Sequence, residues 1–457
     1  MSKHSSPPET TALTTSATLE PAEPTQAPRW ALSVLLAVYI ILTSLLILNV
    51  PINGAPDEAA HIQYVQHLAT RGALPVFVPL GANYPGYEFH QPPLYYLLCL
   101  PLWKATGAGV QYYMCRLVSL LCGALTLVLL WRAVVALFPN DPRLPILTTG
   151  FAALWPLHQG VGASAANGAL SCLFCSAVFY TIARASQRQW KMTDSLLAGA
   201  FVGCGILTAT ASLVMLFVAA GAAWYFVSCD NEQGANDSPV YATAAVVGVA
   251  LLISGWWLMR NQRLYGDALA LGIFNQAFSK SNPGPAQFLT VFSLTTYLRA
   301  FLTILFCTAW GIFGGPETAD KMMNPFRQHG PRPEALPGLI FGLACMVATV
   351  LVVWGLIRFA KFWQTQPAAA RAALRWWSIG FILVLLSFVQ FNLHYYQAQA
   401  RYLHPALLPI ALAFGLGWRE VFGDPSNTKL CWLASSVFGV VLLVLSLWNA
   451  LGWRTLV

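Results

Sequence analysis

The chain contains 457 residues, of which 57% are hydrophobic and only 9% are charged. Soluble globular domains carry about 25% charged residues, so this composition excludes an ordinary soluble domain. The net charge is +8 at pH 7, but the basic residues are scattered along the chain. Nucleic-acid-binding proteins gather such residues into a patch or stripe, and we expect no nucleic-acid partner.

The apolar segments predict an all-α polytopic membrane protein. Several continuous apolar runs approach the roughly 20 residues that a helix needs to cross a bilayer. Backbone polar groups in lipid must be satisfied within the structure, so the spans are helices or a closed barrel. Since the apolar residues do not alternate with polar ones, the pattern favours helices. We expect about eleven spans of this length.

The amino-terminal segment differs from the rest of the chain. Residues 1–29 are rich in Ser, Thr, Pro and Ala and contain almost no large apolar side chains. Such a segment buries too little surface to become ordered, and we predict a disordered cytoplasmic tail. Residues 30–457 form the predicted transmembrane domain, and its first span, residues 30–50, leads to the outer side.

The first external loop, predicted over residues 51–111, contains two short helices. Residues 57–70 have an amphipathic pattern, with Asp57 and His61 on the same face. Residues 92–103 are apolar but too short to cross the bilayer comfortably. They predict a second helix that lies in the interface between membrane and water.

The later apolar runs predict the remaining spans, and the basic residues between them set the orientation. Residues 195–227 are too long for one span and predict two, with a break at 208–212. Under the positive-inside rule, the basic clusters at 184–191 and 358–375 lie in the cytoplasm. This orientation leaves a second large external loop at 260–336.

The polar clusters fall on the outer side of this predicted topology. Ionisable residues at membrane edges that face a cavity are candidates for function. The outer-side residues are Asp57, Glu58, His61, His90, Gln91, His158, Asn167, Arg260, Arg263, Lys280, His394, Gln399 and Arg401.

Four short sequences carry a resemblance to a known family. An Asp-Glu-x-x-His sequence at 57–61 follows the first span, and His-Gln-Pro-Pro-Leu-Tyr-Tyr follows at 90–96. Weaker strings are the Trp-Trp, Arg-Asn and Tyr-Gly pairs within 256–266 and Gln-Ala-Arg-Tyr-Leu at 399–403. Together they resemble the GT-C superfamily of membrane glycosyltransferases. The bacterial branch related to protein O-mannosyltransferases and to the lipid A aminoarabinose transferase looks closest.

The resemblance implies both a fold and an activity. The fold is a GT-C-like helical bundle, with interfacial helices covering an external cavity. The activity is transfer of a hexose or pentose from a polyprenyl-phosphate carrier to a glycan, lipid or protein acceptor. It also implies a bacterial inner membrane location, contact with membrane lipids and an active site facing outward.

The resemblance further assigns roles to individual residues. It places the general base at Asp57, since an acceptor hydroxyl needs a base within hydrogen-bond reach, and makes Glu58 the neighbouring catalytic partner. Arg401, and next Arg260, would grip the departing phosphate with paired hydrogen bonds. The remaining predicted substrate-binding residues are His61, His90, Gln91, Tyr95, Asn261 and Tyr402.

Structural interpretations of these residues stay open. Asp57 and Glu58 could simply favour a helix start, where negative charge is stabilising. His61 is either an interfacial polar residue or a partner of Asp57 in a divalent-cation site. Tyr95 could belong to an interfacial aromatic belt, and the arginines at span ends, including Arg260, could contact lipid headgroups.

The chain also departs from the family pattern. Asn167 stands where relatives often carry an acidic residue, and an amide cannot act as a base. Residues 207–211 lack the lysine that relatives often have in the inner span. Two further functions therefore remain as alternatives: a transporter or flippase of lipid-linked glycans, and a non-catalytic GT-C-like assembly protein.

Overall fold

The computed structural model describes residues 27–80, 86–232, 238–278, 284–311, 336–422 and 428–452. The elements formed by these residues are all helices. The predicted tail at 1–29 lies almost entirely outside the described residues.

The first half of the chain supplies the external-loop helices and the centre of the bundle. Its helices are α1 (Arg29–Asn49), α2 (Glu58–Arg71), α3 (Leu94–Ala105), α4 (Val110–Leu137), α5 (Arg143–Leu154), α6 (Pro156–Gly162), α7 (Gly168–Ala185), α8 (Met192–Ile206) and α9 (Val214–Glu232). A one-turn 3-10 helix, Thr210–Leu213, separates α8 from α9, and the predicted break in the long apolar run is thereby confirmed.

The second half supplies the helices that complete the bundle. They are α10 (Pro239–Tyr265), α11 (Leu271–Phe278), α12 (Pro285–Phe288), α13 (Leu294–Ala309), α14 (Leu336–Gln364), α15 (Ala368–His394), α16 (Leu407–Phe422) and α17 (Thr428–Gly452). A 3-10 helix, Ala400–Ala406, runs directly into α16.

The helices have the lengths and composition of a membrane bundle. Among the described residues, eight helical segments are long and apolar enough to cross a membrane, and four shorter apolar helices accompany them. The predicted all-α polytopic fold is confirmed.

Two pairs of helices approach each other backbone to backbone. A Cβ atom added to Gly355 of α14 would lie 1.8 Å from the carbonyl oxygen of Ala413, and one added to Gly417 of α16 would lie 1.9 Å from that of Leu351. A Cβ atom on Gly199 of α8 would lie 2.6 Å from a carbonyl oxygen of α10. Helices in lipid associate through close contacts of this kind, because the lipid tails are as apolar as leucine.

The helices of the predicted first external loop are fixed to one end of the bundle. α2 packs against α3, and α3 packs against α4. Gly72 ends α2 in the left-handed conformation, with φ 64°, as glycine does readily. The 3-10 helix Ala400–Ala406 is held between α7, α13 and α15, and it brings a distant part of the sequence to the first external loop.

The beginning of the predicted second external loop is wrong. That loop was expected from residue 260, but α10 continues to Tyr265, so Arg260 and Asn261 are helical. The physical reason is that the backbone is first interrupted at Gly266, which adopts φ 69° and ends the helix. Residues 312–335 of the predicted loop lie outside the described residues.

Candidate active site

Asp57 lies in the turn between α1 and α2, one residue before the start of α2. Its backbone has φ 62° and ψ 2°, in the left-handed region. A non-glycine residue in that region costs about 1–3 kcal/mol and persists only where its surroundings hold it, which is common at functional sites. The carboxylate is thus carried on a strained turn between α1 and α2.

Two side chains from distant parts of the sequence hold the Asp57 carboxylate. The hydroxyl of Tyr87 donates to Oδ1 at 3.0 Å, and Arg401 Nη2 forms an ion pair with Oδ2. The side chains of Asp57 and Arg401 are 27% and 19% exposed. We call Asp57, Tyr87 and Arg401 the open site, because a molecule arriving from outside can reach them.

The charge state of Asp57 follows from these contacts. Burial, the largest single influence, raises the pKa of the carboxyl group, but the charges and hydrogen bonds around it, led by the Arg401 guanidinium, together lower the pKa below its usual value. Asp57 is therefore ionised at neutral pH, which is the form that accepts a proton.

Glu58, the next residue, has a different environment. Its side chain is 2% exposed and that of Arg116 on α4 is 1% exposed. Its Oε1 accepts from Arg116 Nε at 2.8 Å and from the Ala165 backbone N–H at 2.9 Å, and its Oε2 accepts from Arg116 Nη2 at 2.7 Å. Arg116 also donates to the carbonyl oxygens of Ile47, Val50 and Pro51.

We call Glu58, Arg116 and Ala165 the clamp. It joins the start of α2 to the end of α1, to α4 and to the segment before α7. Because internal donors already occupy both oxygens of Glu58, this carboxylate holds the framework beneath Asp57. The prediction had placed it beside Asp57 as a catalytic partner.

His61 lies one helical turn after Asp57 and faces the interior. Its Nδ1 is 2.8 Å from the hydroxyl of Tyr96, and the Tyr96 ring stacks on Tyr64 with 3.8 Å between centroids. Burial lowers the pKa of His61 to about 4, so its ring is neutral at physiological pH.

In this structure other side chains occupy the Asp57 carboxylate, and the predicted divalent-cation site stays a prediction. Both Asp57 oxygens are engaged, one of them by the Arg401 guanidinium, and a positive group in that place repels a metal ion. Among the residues that the structure describes, no group of three or more His, Cys, Asp or Glu side chains is placed to hold a metal.

The loop before α3 carries two of the predicted residues. His90 Nδ1 is 3.0 Å from the carbonyl oxygen of Tyr87, and its Nε2 is 3.3 Å from Gln91 Nε2. Because Tyr87 also binds Asp57, His90 supports the open site through its neighbour. Burial lowers the pKa of His90 to about 4, so this histidine is neutral as well.

Glu88, in the same loop, was not among the predicted site residues. Its side chain is 8% exposed, and its Oε2 has no hydrogen-bond partner among the described residues. Burial first, and then the nearby charge of Asp57, raise its pKa to about 8. Glu88 is therefore protonated at neutral pH, whereas Asp57 is ionised.

Asn167 contacts this loop from the turn before α7. Its Nδ2 donates to Gln91 Oε1 at 3.2 Å and to the carbonyl oxygen of Thr208 at 2.8 Å. The position where relatives often have an acidic residue is thus tied to predicted residue Gln91, and an amide serves it here as a hydrogen-bond donor.

Three predicted binding residues lie away from the open site. The Tyr95 hydroxyl donates to the Cys115 carbonyl oxygen inside the bundle. Arg260 Nη2 donates to the Pro75 carbonyl oxygen at 2.6 Å. Asn261 Nδ2 donates to a backbone oxygen of the turn after α10, at 3.2 Å. Tyr402, in contrast, touches Arg401: its hydroxyl accepts from Nη2 at 3.3 Å.

Sequence reasoning missed four residues that shape the site, each of which carried a signal. Tyr87 and Glu88 lie within a loop that was already notable for its polarity. Tyr96 follows Tyr95, and the side chain that reaches His61 belongs to the second tyrosine. Arg116 is a lone charge in an apolar run, and such charges in membrane helices usually have a partner.

Comparison with known proteins gave matches in sequence and in structure. The family of dolichyl-phosphate-mannose-protein mannosyltransferases matches residues 90–258. A search of curated proteins found no matching sequence.

Two solved structures were found to be similar to this chain. ArnT from Cupriavidus metallidurans bound to undecaprenyl phosphate has a TM-score of 0.50 and 13% identity, over 93% of this chain and 76% of that one. The apo oligosaccharyltransferase from Archaeoglobus fulgidus has a TM-score of 0.49 and 13% identity, over 93% of this chain and 56% of that one. This chain thus spans a little over half the length of the archaeal protein. At 13% identity the likeness shows the fold alone, and ArnT, with its TM-score of 0.50, is the structure that supports it.

Proposed function

The resemblance of this chain to the GT-C superfamily of membrane glycosyltransferases, confirmed by the family match and by the fold, is the premise from which we propose its function. We propose that the protein transfers a sugar from a polyprenyl-phosphate carrier to an acceptor hydroxyl at the outer face of the membrane. The acceptor is a glycan, a lipid or a protein.

The open site is the observation that carries this proposal. An ionised, partly exposed carboxylate on a strained turn is the group required to take a proton from an acceptor hydroxyl. As the acceptor oxygen bonds to the sugar C1, Asp57 receives the hydroxyl proton. The bond from C1 to the phosphate oxygen breaks, and its electron pair leaves with the phosphate. Attack from the side opposite the phosphate inverts the configuration at C1.

Arg401 is suited to bind the departing phosphate. Its Nε atom is buried and has no hydrogen-bond partner among the described residues. Arginine binds a phosphate through two parallel hydrogen bonds, and Nε offers one of these donors while Nη2 still contacts Asp57. In this proposal Arg401 moves from Asp57 towards the phosphate as the acceptor hydroxyl reaches the carboxylate.

Arg260 supplies a second cation nearer to the lipid. It lies in a groove with exposed apolar side chains, among them Trp256 and Met259, and its Nη1 is without a partner in the described part of the chain. A positive group beside apolar surface fits a lipid phosphate at the edge of the membrane, and we propose that the carrier approaches here.

The distribution of basic residues supports an outward-facing site. α7 contains 18 residues, which corresponds to a length of about 27 Å. Asn167 precedes its first residue, whereas Arg184 lies in its last turn and, with Arg188, contacts Asp194. Because positive residues favour the cytoplasmic side, the opposite end faces outward. By resemblance, the membrane is the bacterial inner membrane.

The decisive experiment replaces Asp57 with Asn in purified protein reconstituted into liposomes. Transfer of labelled sugar from a polyprenyl-phosphate donor is expected to fall by about 10²–10⁴-fold, the usual contribution of a general base. The matched control is Asp141→Asn, because Asp141 is also a partly exposed aspartate paired with one arginine, Arg419, at 2.9 Å. The control is expected to keep normal transfer.

Two outcomes would contradict the proposal. One is a wild-type protein that transfers sugar from none of the lipid-phosphate donors tested, with Asp57→Asn cells keeping their surface glycans at matched abundance. The other is labelled lipid-linked glycan crossing the bilayer without glycosyl transfer, which would identify a transporter.

A further inference from the structure

Glu88 is a buried carboxyl group for which the reaction described above has no use. It lies beside Gln91, within electrostatic reach of Asp57 and Arg401. A buried polar atom without a partner costs about 1–3 kcal/mol. Its Oε2 is such an atom within the described residues, and the preceding residue, Tyr87, donates a hydrogen bond to Asp57.

The surroundings of Glu88 contain one positive group, and Asp57 already shares it. The polar groups that interact with Glu88 are Asp57, Tyr87, Gln91, Tyr96, Arg401 and Tyr402. His61 and His90 nearby are neutral, because burial lowers both pKa values to about 4. Since Arg401 balances Asp57, an ionised Glu88 would leave a net negative charge. The carboxyl group therefore keeps its proton.

Paired carboxyl groups with different proton affinities divide the roles of acid and base between them. Asp57 is ionised and accepts a proton, and Glu88 is protonated and can donate one. The proposed reaction can use both, because the carrier phosphate begins as a diester with one negative charge and leaves as a monoester with two. A proton delivered to the leaving oxygen cancels this second charge directly, whereas Arg401 is shared with Asp57.

We propose that Glu88 is the general acid of the reaction and donates its proton to the phosphate oxygen that leaves C1. The inference rests on the proposed function. The acceptor proton passes to Asp57, the acceptor oxygen bonds to C1, and the bond from C1 to the phosphate oxygen breaks with its electron pair on that oxygen. The proton from Glu88 bonds to that phosphate oxygen and neutralises its new negative charge. Asp57 then passes the acceptor proton to Glu88, which restores both carboxyl groups, and the net result is one proton lost by the acceptor and one gained by the phosphate monoester.

The test uses Glu88→Gln, which keeps the size and a hydrogen-bond donor but cannot give up a proton. We expect kcat to fall by about 10²-fold, the lower end of the range for general acids and bases, because phosphate is already a good leaving group. KM for the carrier should remain close to the wild-type value. Wild-type transfer should decline as the pH rises through about 8, and Glu88→Gln should lose this alkaline decline.

A spectroscopic measurement on the same proteins reports the Glu88 proton without any reaction. The infrared C=O stretch of a protonated carboxyl group should disappear from the wild type over the pH range of the alkaline decline. It should be absent from Glu88→Gln over the same pH range. Glu420→Gln is the control, because that carboxylate is exposed and paired with Arg358; both the band and the transfer rate should be unchanged.

The outcomes separate this inference from the function on which it rests. If the wild type transfers sugar, Asp57→Asn does not, and Glu88→Gln retains the wild-type rate and alkaline decline, the acid role of Glu88 is wrong and the function stands. A wild type without transfer would instead overturn the function and the acid role with it. If Glu88→Gln fails to fold, a wild-type alkaline decline without the infrared change overturns the inference.

Discussion

The clamp and the open site contain adjacent acidic residues, each paired with an arginine, yet they differ in every other respect. Glu58 is buried and accepts hydrogen bonds from inside the protein on both oxygens. Asp57 is partly exposed, is held on a left-handed turn and contacts an arginine that has an unused N–H. A buried charge whose hydrogen bonds are all made within the protein indicates a structural role. An accessible charge on a strained backbone indicates a catalytic or binding role.

The largest expected effect concerns the stability provided by the clamp. Glu58→Gln leaves Arg116 charged and buried without its counter-ion, and breaking a buried ion pair in this way costs about 3–5 kcal/mol. The free energy of unfolding in detergent should decrease by this amount. Asp57→Asn should change it by no more than about 1 kcal/mol, since the open pair is partly solvated.

Equal losses of stability in the two variants would break the distinction between clamp and open site. The transfer activity of folded Glu58→Gln protein gives a second test of the distinction between the clamp and the open site. Because Glu58 touches only the framework, folded molecules should retain the alkaline and acid limbs of the wild-type pH profile.

The next effect concerns the arginine of the open site. Arg401→Lys keeps a positive charge near Asp57 but removes the planar pair of donors that fits a phosphate. Transfer should fall by about 10²-fold, the effect of a misplacement of about 1 Å at a reacting group. The midpoint temperature of thermal unfolding should remain near the wild-type value. If Arg401→Lys transfers sugar at the wild-type rate, the proposal that Arg401 binds the departing phosphate is wrong.

The smallest effect concerns the Tyr87 hydroxyl. Tyr87→Phe removes a hydrogen bond that helps to hold the Asp57 pKa low, so that pKa should rise. Because transfer requires the ionised form, which is lost as the pH falls through the pKa, the acid limb of the pH profile should move to higher pH. A hydrogen bond worth about 1 kcal/mol corresponds to a shift below about one pH unit.

An acid limb that stays in place would show that Tyr87 does not act on Asp57 during transfer. The phenylalanine ring fills the same space, so the amount of folded protein serves as the control for this variant.

The sequence predicted the local structure well because local structure depends on nearby residues. The apolar runs placed the helices, the 208–212 break was found, and Gly72 marked the end of α2. The end of α10 was misplaced because polar residues such as Arg260 suggested a loop, although helix termination depends on backbone conformation, which changes only at Gly266.

The contacts of the candidate site are long-range, and no local pattern encodes them. Asp57 and Arg401 were both predicted site residues, but they lie 344 positions apart in the chain, and only the packing of the 3-10 helix brings the two together. Glu58 has the same chemistry as its neighbour, and its role became clear only from the position of Arg116. Tyr95 was predicted to face the site, but Tyr96 is the tyrosine that contacts His61. The phase of the helix decides which of two adjacent residues faces the site.

The glycine crossing of α14 and α16 determines the register at which Arg401 is presented. α16 continues directly from the 3-10 helix that carries this arginine. At Gly355 and Gly417 the backbones of α14 and α16 are in direct contact, so a sliding of one helix along the other would bring side chains into this contact. A shift of one residue along a helix corresponds to about 1.5 Å, enough to separate a guanidinium from its carboxylate. Two residues without side chains, one on α14 and one on α16, thus set the position along the bundle at which the charge of Arg401 meets Asp57.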